Sequence, residues 1–302
     1  MNSASAKVIL FGEHSVVYGQ PAIAVPLLGL RAYAEIVEEQ TPFRIVARDL
    51  NDRVITFDGD DPLAQVARLT LEAVGIPAPP IALAVRSDIP IASGLGSGAA
   101  ISAAIIRALL AYLERELPQE MINQIVYDVE KIHHGTPSGI DNTVIVYEQA
   151  VYFVREQPIE MIDVEKSFRL IVADTGQTAL TKYAVGDVRR LYEDETERTI
   201  LLIEKIGAVV REARQMMQRG DISRLGVLMT ENHHLLQALT VSSSELDQLV
   251  MAALDAGARG AKLSGGGRGG NMIALVDDQT YTPVITALKQ AGAVRLFGTT
   301  VE

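Results

Sequence analysis

The chain has no cysteine and no tryptophan in 302 residues, and aromatic side chains make up only 5% of it. The missing cysteines exclude disulfides, thiolate metal sites and cysteine nucleophiles together, and a cytoplasmic address is the expectation that follows. Positive charge is scarce as well: 27 Lys and Arg stand against 38 Asp and Glu, a net charge of −11. That balance argues against nucleic acid or an anionic membrane as the main partner. Long apolar runs are also lacking, and none approaches the roughly 18–20 residues of a membrane span. The longest candidate, "GAAISAAIIRALLAYL", is broken by Arg107 and reads as a buried helix. The opening "MNSASAKVILFGEH" reaches charged residues too early for a secretory signal.

What is present is a 48% apolar composition, enough to bury one large core or two modest ones. Strand-like runs at "AKVILFGE", "LRAYAEIVEE", "RVITF" and "PIALAVRS" mix with helical ones, and no internal repeat is visible. "DPLAQVARLTLEAVG" is a punctuated helix, with Asp61 as N-cap, Pro62 in the first turn and Gly75 as the stop. "PQEMINQIVYDVEKIHHG" carries an apolar face at helical spacing, with Glu130 at its margin. "TVIVYEQAVYFVRE" reads as a hairpin, and the polar stretch after it places a domain boundary near residue 160. Residues 185–219, 221–239, 243–257 and 279–291 have helical periodicity, and "FRLIVAD" opens the second half as a strand.

Four polar or glycine-rich stretches interrupt these elements, and loops on a rigid scaffold are where chemistry usually sits. In "IPIASGLGSGAA", residues 89–100, Gly94, Gly96 and Gly98 precede a helix, the arrangement of an anion site at a helix N-terminus. No lysine follows the last glycine, so this is not a Walker A loop. Gly94, Gly96 and Ala99 satisfy a dinucleotide fingerprint, which needs a strand ending in Asp or Glu about 20 residues on. Glu114, Glu116 and Glu120 fall in that window, in or just beyond helix and without a strand, so a nucleoside triphosphate fits better. A helix dipole contributes only about 0.3–1 kcal/mol, so backbone N–H donors and a cation must share the work.

"EKIHHGTPSGIDN", residues 130–142, sets Glu130 and Asp141 eleven residues apart across a turn. A phosphotransferase needs one carboxylate for Mg²⁺ and another to orient or deprotonate the attacking hydroxyl, while the plain reading is a solvated carboxylate and an N-cap. "AKVILFGEHSVVYG" offers Lys7, Glu13, His14 and Tyr18, and by itself reads equally well as a strand and a turn. "KLSGGGRGGN", residues 262–271, holds five glycines, as a flexible hairpin or a close backbone approach to a ligand, with Arg268 meeting a phosphate or water. His233 and His234 are adjacent on a helix and face different ways, so they read as structural and not as a metal pair.

In this order the four stretches resemble the motifs of the GHMP kinases, most closely their mevalonate-phosphorylating branch, over essentially the whole chain. The resemblance implies an α/β and α+β two-domain fold, with an N-terminal domain over 1–160, a C-terminal domain over 161–302 and the active site in the cleft between them. It implies ATP-dependent phosphorylation of the C5 hydroxyl of mevalonate, with ATP and Mg²⁺ as co-substrate and cofactor. By position, Asp141 is implied as base with Lys7 as its partner, and Glu130 as the Mg²⁺ ligand. Glu13, His14 and Thr181, the last in "TALTKYA", would line the acceptor site. Gly94, Leu95, Gly96, Ser97 and Gly98 would wrap the ATP phosphates. The expected partner is a small molecule, without nucleic acid or membrane, and a homodimer stays open. Three positions depart from the family pattern: Gly98 stands where a Mg²⁺-binding serine is usual, so that Ser97 or water would serve, Arg268 where glycine is common, and Asn271 where cysteine is common. Another small-molecule kinase of this family, acting on phosphomevalonate or a sugar, and a non-catalytic ligand-binding relative are the alternative readings.

Overall fold

A computed structural model describes residues 1–91, 93–134, 138–177 and 181–302, without the side chains of His133, His134, Thr181 and Lys182. In chain order the elements are β1 (Asn2–Phe11), β2 (Ala22–Glu39), β3 (Arg44–Ala47), β4 (Arg53–Thr56), α1 (Pro62–Val74), β5 (Ile81–Ser87), α2 (Ser97–Tyr112), α3 (Gln119–His134) and α4 (Ile140–Tyr147). There follow β6 (Val151–Phe153), β7 (Glu160–Met161), β8 (Phe168–Asp174), α5 (Thr181–Asp194), α6 (Thr196–Arg219), α7 (Ile222–Ala238), α8 (Ser244–Asp255), β9 (Gly260–Ser264), β10 (Asn271–Val276), α9 (Tyr281–Gln290) and β11 (Arg295–Val301). No described helix is long and apolar enough to cross a membrane.

The chain forms two compact units whose segments interleave: Met1–Lys7, Leu30–Ile91 and Leu95–Glu148 in one, and Val8–Gly29, Ala92–Gly94 and Gln149–Glu302 in the other. In the first unit β3 runs parallel to β5 and antiparallel to β4, and the later half of β2 pairs antiparallel with β5. Helix α1 begins as its sequence dictates, with the Asp61 carboxylate accepting from the Leu63 N–H at 2.9 Å. It ends at Gly75 in the left-handed region, which satisfies the last carbonyls. Helix α2 is nearly all small or branched apolar residues on its inner side, from Ala99 to Leu110, so its neighbours approach closely. Arg107, the charge that interrupts it, bonds Glu148 at 2.8 Å and the Val146 carbonyl at 2.9 Å, and Arg31 bonds the same carboxylate at 2.8 Å. Burial pushes the Glu148 carboxyl up, but Arg107 and Arg31 outweigh it and hold the group below its ordinary value.

In the second unit, β11, β8, β10 and β9 form an antiparallel sheet in that order, and the start of β2 pairs with β6. The strands β9 and β10 are wholly buried and pair Ser264 with Asn271, so the glycines between them form a closed loop at one end of the sheet.

Two local expectations change, and one strand was not foreseen. Residues 143–147 belong to helix α4 and not to a hairpin. Thr-Val-Ile-Val is strand-like by composition, but Gly139 at φ +89° opens a helix, and a helix buried almost all round has no polar face to reveal its period. Residues 185–219 divide at Glu195, because the acidic run 193–197 suits the start of α6 and opposes continuation of α5. Strand β3 is four residues long, too short to carry a pattern of its own.

Candidate active site

The first unit carries the implied base and its partner. Lys7, on β1 and 4% exposed, places its Nζ 2.8 Å from Oδ1 of Asp141, which is 35% exposed. The Lys7 backbone N–H also donates to the Leu95 carbonyl at 3.1 Å, so one residue ties the strand to both the glycine loop and the carboxylate. Asp141 lies in the first turn of α4, and its two successors fix that turn. Asn142 donates to Asn123 Oδ1 of α3 at 2.7 Å, and Thr143 Oγ1 donates to the Gly139 carbonyl at 2.7 Å. Those residues escaped the sequence reading, and an Asn-Thr pair directly after the carboxylate is the signal that could have found them.

In the same unit α2 begins at Ser97 with Gly96 as its cap, at φ +79° and with no side chain capping the first turn. A Cβ at Gly96 would come within 2.7 Å of Ile145 and 3.2 Å of Lys7, so both conformation and space demand glycine. The uncapped first turn presents backbone N–H groups of the kind that hold phosphate oxygens. A Cβ at Gly98 would lie in ordinary contact, 3.5 Å from Glu130 Oε1. The carboxylate expected to hold Mg²⁺ is therefore beside the position where the family's serine would stand. No group of three or more His, Asp or Glu suited to a metal occurs among the described residues. Mg²⁺ keeps several waters and takes one or two carboxylates plus substrate phosphates, so a single carboxylate beside a glycine loop fits it.

The second unit carries the implied acceptor residues. His14, 7% exposed, bonds the Gly266 carbonyl through Nε2 at 2.9 Å. A carbonyl only accepts, so Nε2 bears the proton and Nδ1 is the ring's acceptor. Burial holds His14 below its ordinary value despite that bond, and Arg268 adds to the effect, so the ring is neutral. Glu13 is 1% exposed and paired with Lys262, which is 0% exposed, while Asn232 donates to its other oxygen at 3.3 Å. Burial lowers the Lys262 pKa, and Glu13 works against that shift. Thr181 opens α5, and its side chain lies outside the described residues, as do residues 135–137 of the turn before Asp141 and 178–180.

His233 is buried and structural, as read: its Nδ1 accepts from the Leu263 N–H at 3.3 Å, and its Nε2 lies 3.2 Å from Asp247 Oδ1. Adjacent residues of α7, Asn232 and His233, thus reach Glu13 and β9. Lys262 also escaped the sequence reading, although a lone lysine between Ala261 and Leu263 in an apolar strand is a visible signal. The Arg268 guanidinium pairs with Asp187, a partner the sequence reading did not name.

Models of the GHMP kinases N terminal domain and GHMP kinases C terminal region match residues 62–149 and 209–294. The chain is 37% identical to the mevalonate kinase of Pyrococcus furiosus, over 96% of this chain and 92% of that protein. Its fold is similar to the crystal structure of L. major mevalonate kinase in complex with R-mevalonate, with a TM-score of 0.87, 29% identity and coverage of 100% and 95% of the two chains. The Methanococcus jannaschii mevalonate kinase superposes with a TM-score of 0.88, at 28% identity over 99% and 97%.

Proposed function

The chain belongs to the GHMP kinase family, and on that premise we propose that it transfers the γ-phosphoryl group of ATP to the C5 hydroxyl of mevalonate. The observation that carries this reading is the Lys7–Asp141 pair at 2.8 Å, in the unit that also holds the uncapped start of α2. Asp141 orients the hydroxyl and takes its proton, a role worth roughly 10²–10⁴ in rate. The Lys7 ammonium fixes that carboxylate and favours negative charge as it develops on the attacking oxygen.

Gly94, Leu95, Gly96, Ser97 and Gly98 bind the triphosphate through backbone N–H groups. Glu130 and the Ser97 hydroxyl would hold Mg²⁺, which would neutralise charge on the phosphates. On the acceptor side, neutral His14 offers Nδ1 to a hydroxyl of mevalonate, and Thr181 supplies a second polar contact. Glu13 shapes that side from beneath, because its carboxylate is committed to Lys262 and Asn232.

The test is ADP release by purified protein with Mg-ATP and, separately, mevalonate, phosphomevalonate, galactose or homoserine. Release with mevalonate well above the acceptor-free blank is expected. Preference for another acceptor would move the chain to another branch of the family, and no release with any would mark it as a ligand-binding relative.

A further inference from the structure

The third glycine loop contains an arginine where glycine would be easiest. Arg268 takes φ +56°, a conformation that glycine adopts freely and a residue with a side chain adopts at a cost. Its contacts explain what it does there. The backbone N–H donates to the Val241 carbonyl at 2.8 Å, Nε and Nη2 reach the Thr240 carbonyl at 3.4 and 3.3 Å, and Nη1 pairs with Asp187 of α5. Asp187 is 19% and Arg268 34% exposed, so the pair is shielded in part from water.

Two residues further on, the same loop makes a second attachment. The Gly270 N–H donates to the Gln177 carbonyl at 2.9 Å, and the Gly270 carbonyl accepts from the Thr175 N–H at 2.9 Å. A Cβ at Gly269 would stand 2.9 Å from that of Gln177, so the loop lies flat against this segment. Along the chain, Thr181 thus falls between Gln177 and Asp187, both of which bond residues 268–270. Helix α5 is weak in its own sequence at this point. It contains Gly186, the poorest helix former apart from proline, immediately before Asp187. The loop's far end is fixed as well, because Asn271 Nδ2 donates to the Ser93 carbonyl at 2.6 Å, next to the first glycine of the phosphate loop.

We propose that Arg268 is a positioning residue that sets acceptor affinity: through Asp187 it holds the start of α5, and with it Thr181, in register with the third glycine loop. The proposal rests on the reading of mevalonate as acceptor and of Thr181 as one of its contacts. In this role Arg268 acts through Asp187.

The test compares Arg268→Gly, Asp187→Asn, their double variant and Arg268→Lys in full steady-state kinetics, with amide hydrogen exchange of residues 181–190 measured in parallel. In Arg268→Gly the KM for mevalonate is expected to rise about three- to ten-fold, the range set by a partly screened ion pair, while kcat falls by less. The KM for ATP stays within about two-fold. Exchange in 181–190 quickens, the double variant is no worse than the poorer single one, and Arg268→Lys recovers part of the loss. Equal changes in both KM values, additive losses, or faster exchange with an unchanged KM for mevalonate would each overturn the proposal. A wild-type protein that does not phosphorylate mevalonate would overturn the acceptor reading, and unaltered exchange in Arg268→Gly would then separately overturn the attachment.

Discussion

Breaking the Glu13–Lys262 pair from one side should be among the most damaging conservative changes available in this protein. Both side chains are out of water, at 1% and 0% exposure, and Lys262 also donates to the Leu263 carbonyl at 2.6 Å. Removing one partner leaves a buried charge uncompensated, at a cost of about 3–5 kcal/mol. At about 2–4 °C per kcal/mol for chains of this size, Lys262→Met should lower the melting temperature by roughly 10 °C. Glu13→Gln keeps the shape but leaves Lys262 beside a neutral amide. The buried amine then sheds its proton in the folded state while the unfolded chain keeps it, so stability rises with pH and the deficit shrinks towards alkaline pH. Glu13→Leu combined with Lys262→Met removes both charges and should recover most of the loss. A residue of about 1 kcal/mol remains, because Asn232 loses its acceptor. Urea unfolding of wild type, the single variants and the pair, read as a double-mutant cycle, gives the coupling. Single losses under about 1 kcal/mol, or a double variant as unstable as both losses added, would refute the reasoning.

His233 gives a pH prediction of definite sign. Burial holds its pKa at about 4, against an ordinary 6.5, with Asp247 pulling it upward. As pH falls the unfolded chain takes up the proton first, so stability complete above pH 6.5 is lost towards pH 4, by about 3 kcal/mol. Urea midpoints between pH 7 and 4.5 should show that decline and a His233→Gln variant should lack its share of it; equal slopes would exclude His233 as the source. Gly98→Ser introduces a hydroxyl beside Glu130 without a clash and should raise stability by about 0.5 kcal/mol through helix propensity. The Mg²⁺ concentration for half-maximal rate should fall several-fold, and an unchanged metal dependence would remove Gly98 from the metal's surroundings.

Local chemistry decided what could be seen in the sequence. Asp61, Pro62 and Gly75 bound α1 as expected because each satisfies helix-end groups within its own few residues. The order of the glycine stretches, with Glu130 and Asp141 eleven residues apart, pointed to the family by resemblance, because each of these motifs is contiguous in the chain. The buried pairs were not visible, since Glu13 and Lys262 are 249 residues apart and only the folded chain brings them together. Arg268 was read as meeting a phosphate or water, and its partner escaped notice for a related reason. Its guanidinium pairs with Asp187, which lies in a separate helix and has no marking in its own sequence. Helix α4 was misread because its Thr-Val-Ile-Val run is short, strand-like in composition and buried on every side, so it carries no period that separates helix from strand.

The most direct test of the central claim is the product formed by Asp141→Asn compared with wild type. Wild type with Mg-ATP should yield mevalonate phosphorylated at the C5 hydroxyl, identified by phosphorus NMR. The Asn variant should bind ATP with nearly unchanged affinity and lose roughly 10²–10⁴ in kcat, the contribution of the base. Full turnover in that variant, or a wild-type product phosphorylated elsewhere, would contradict it.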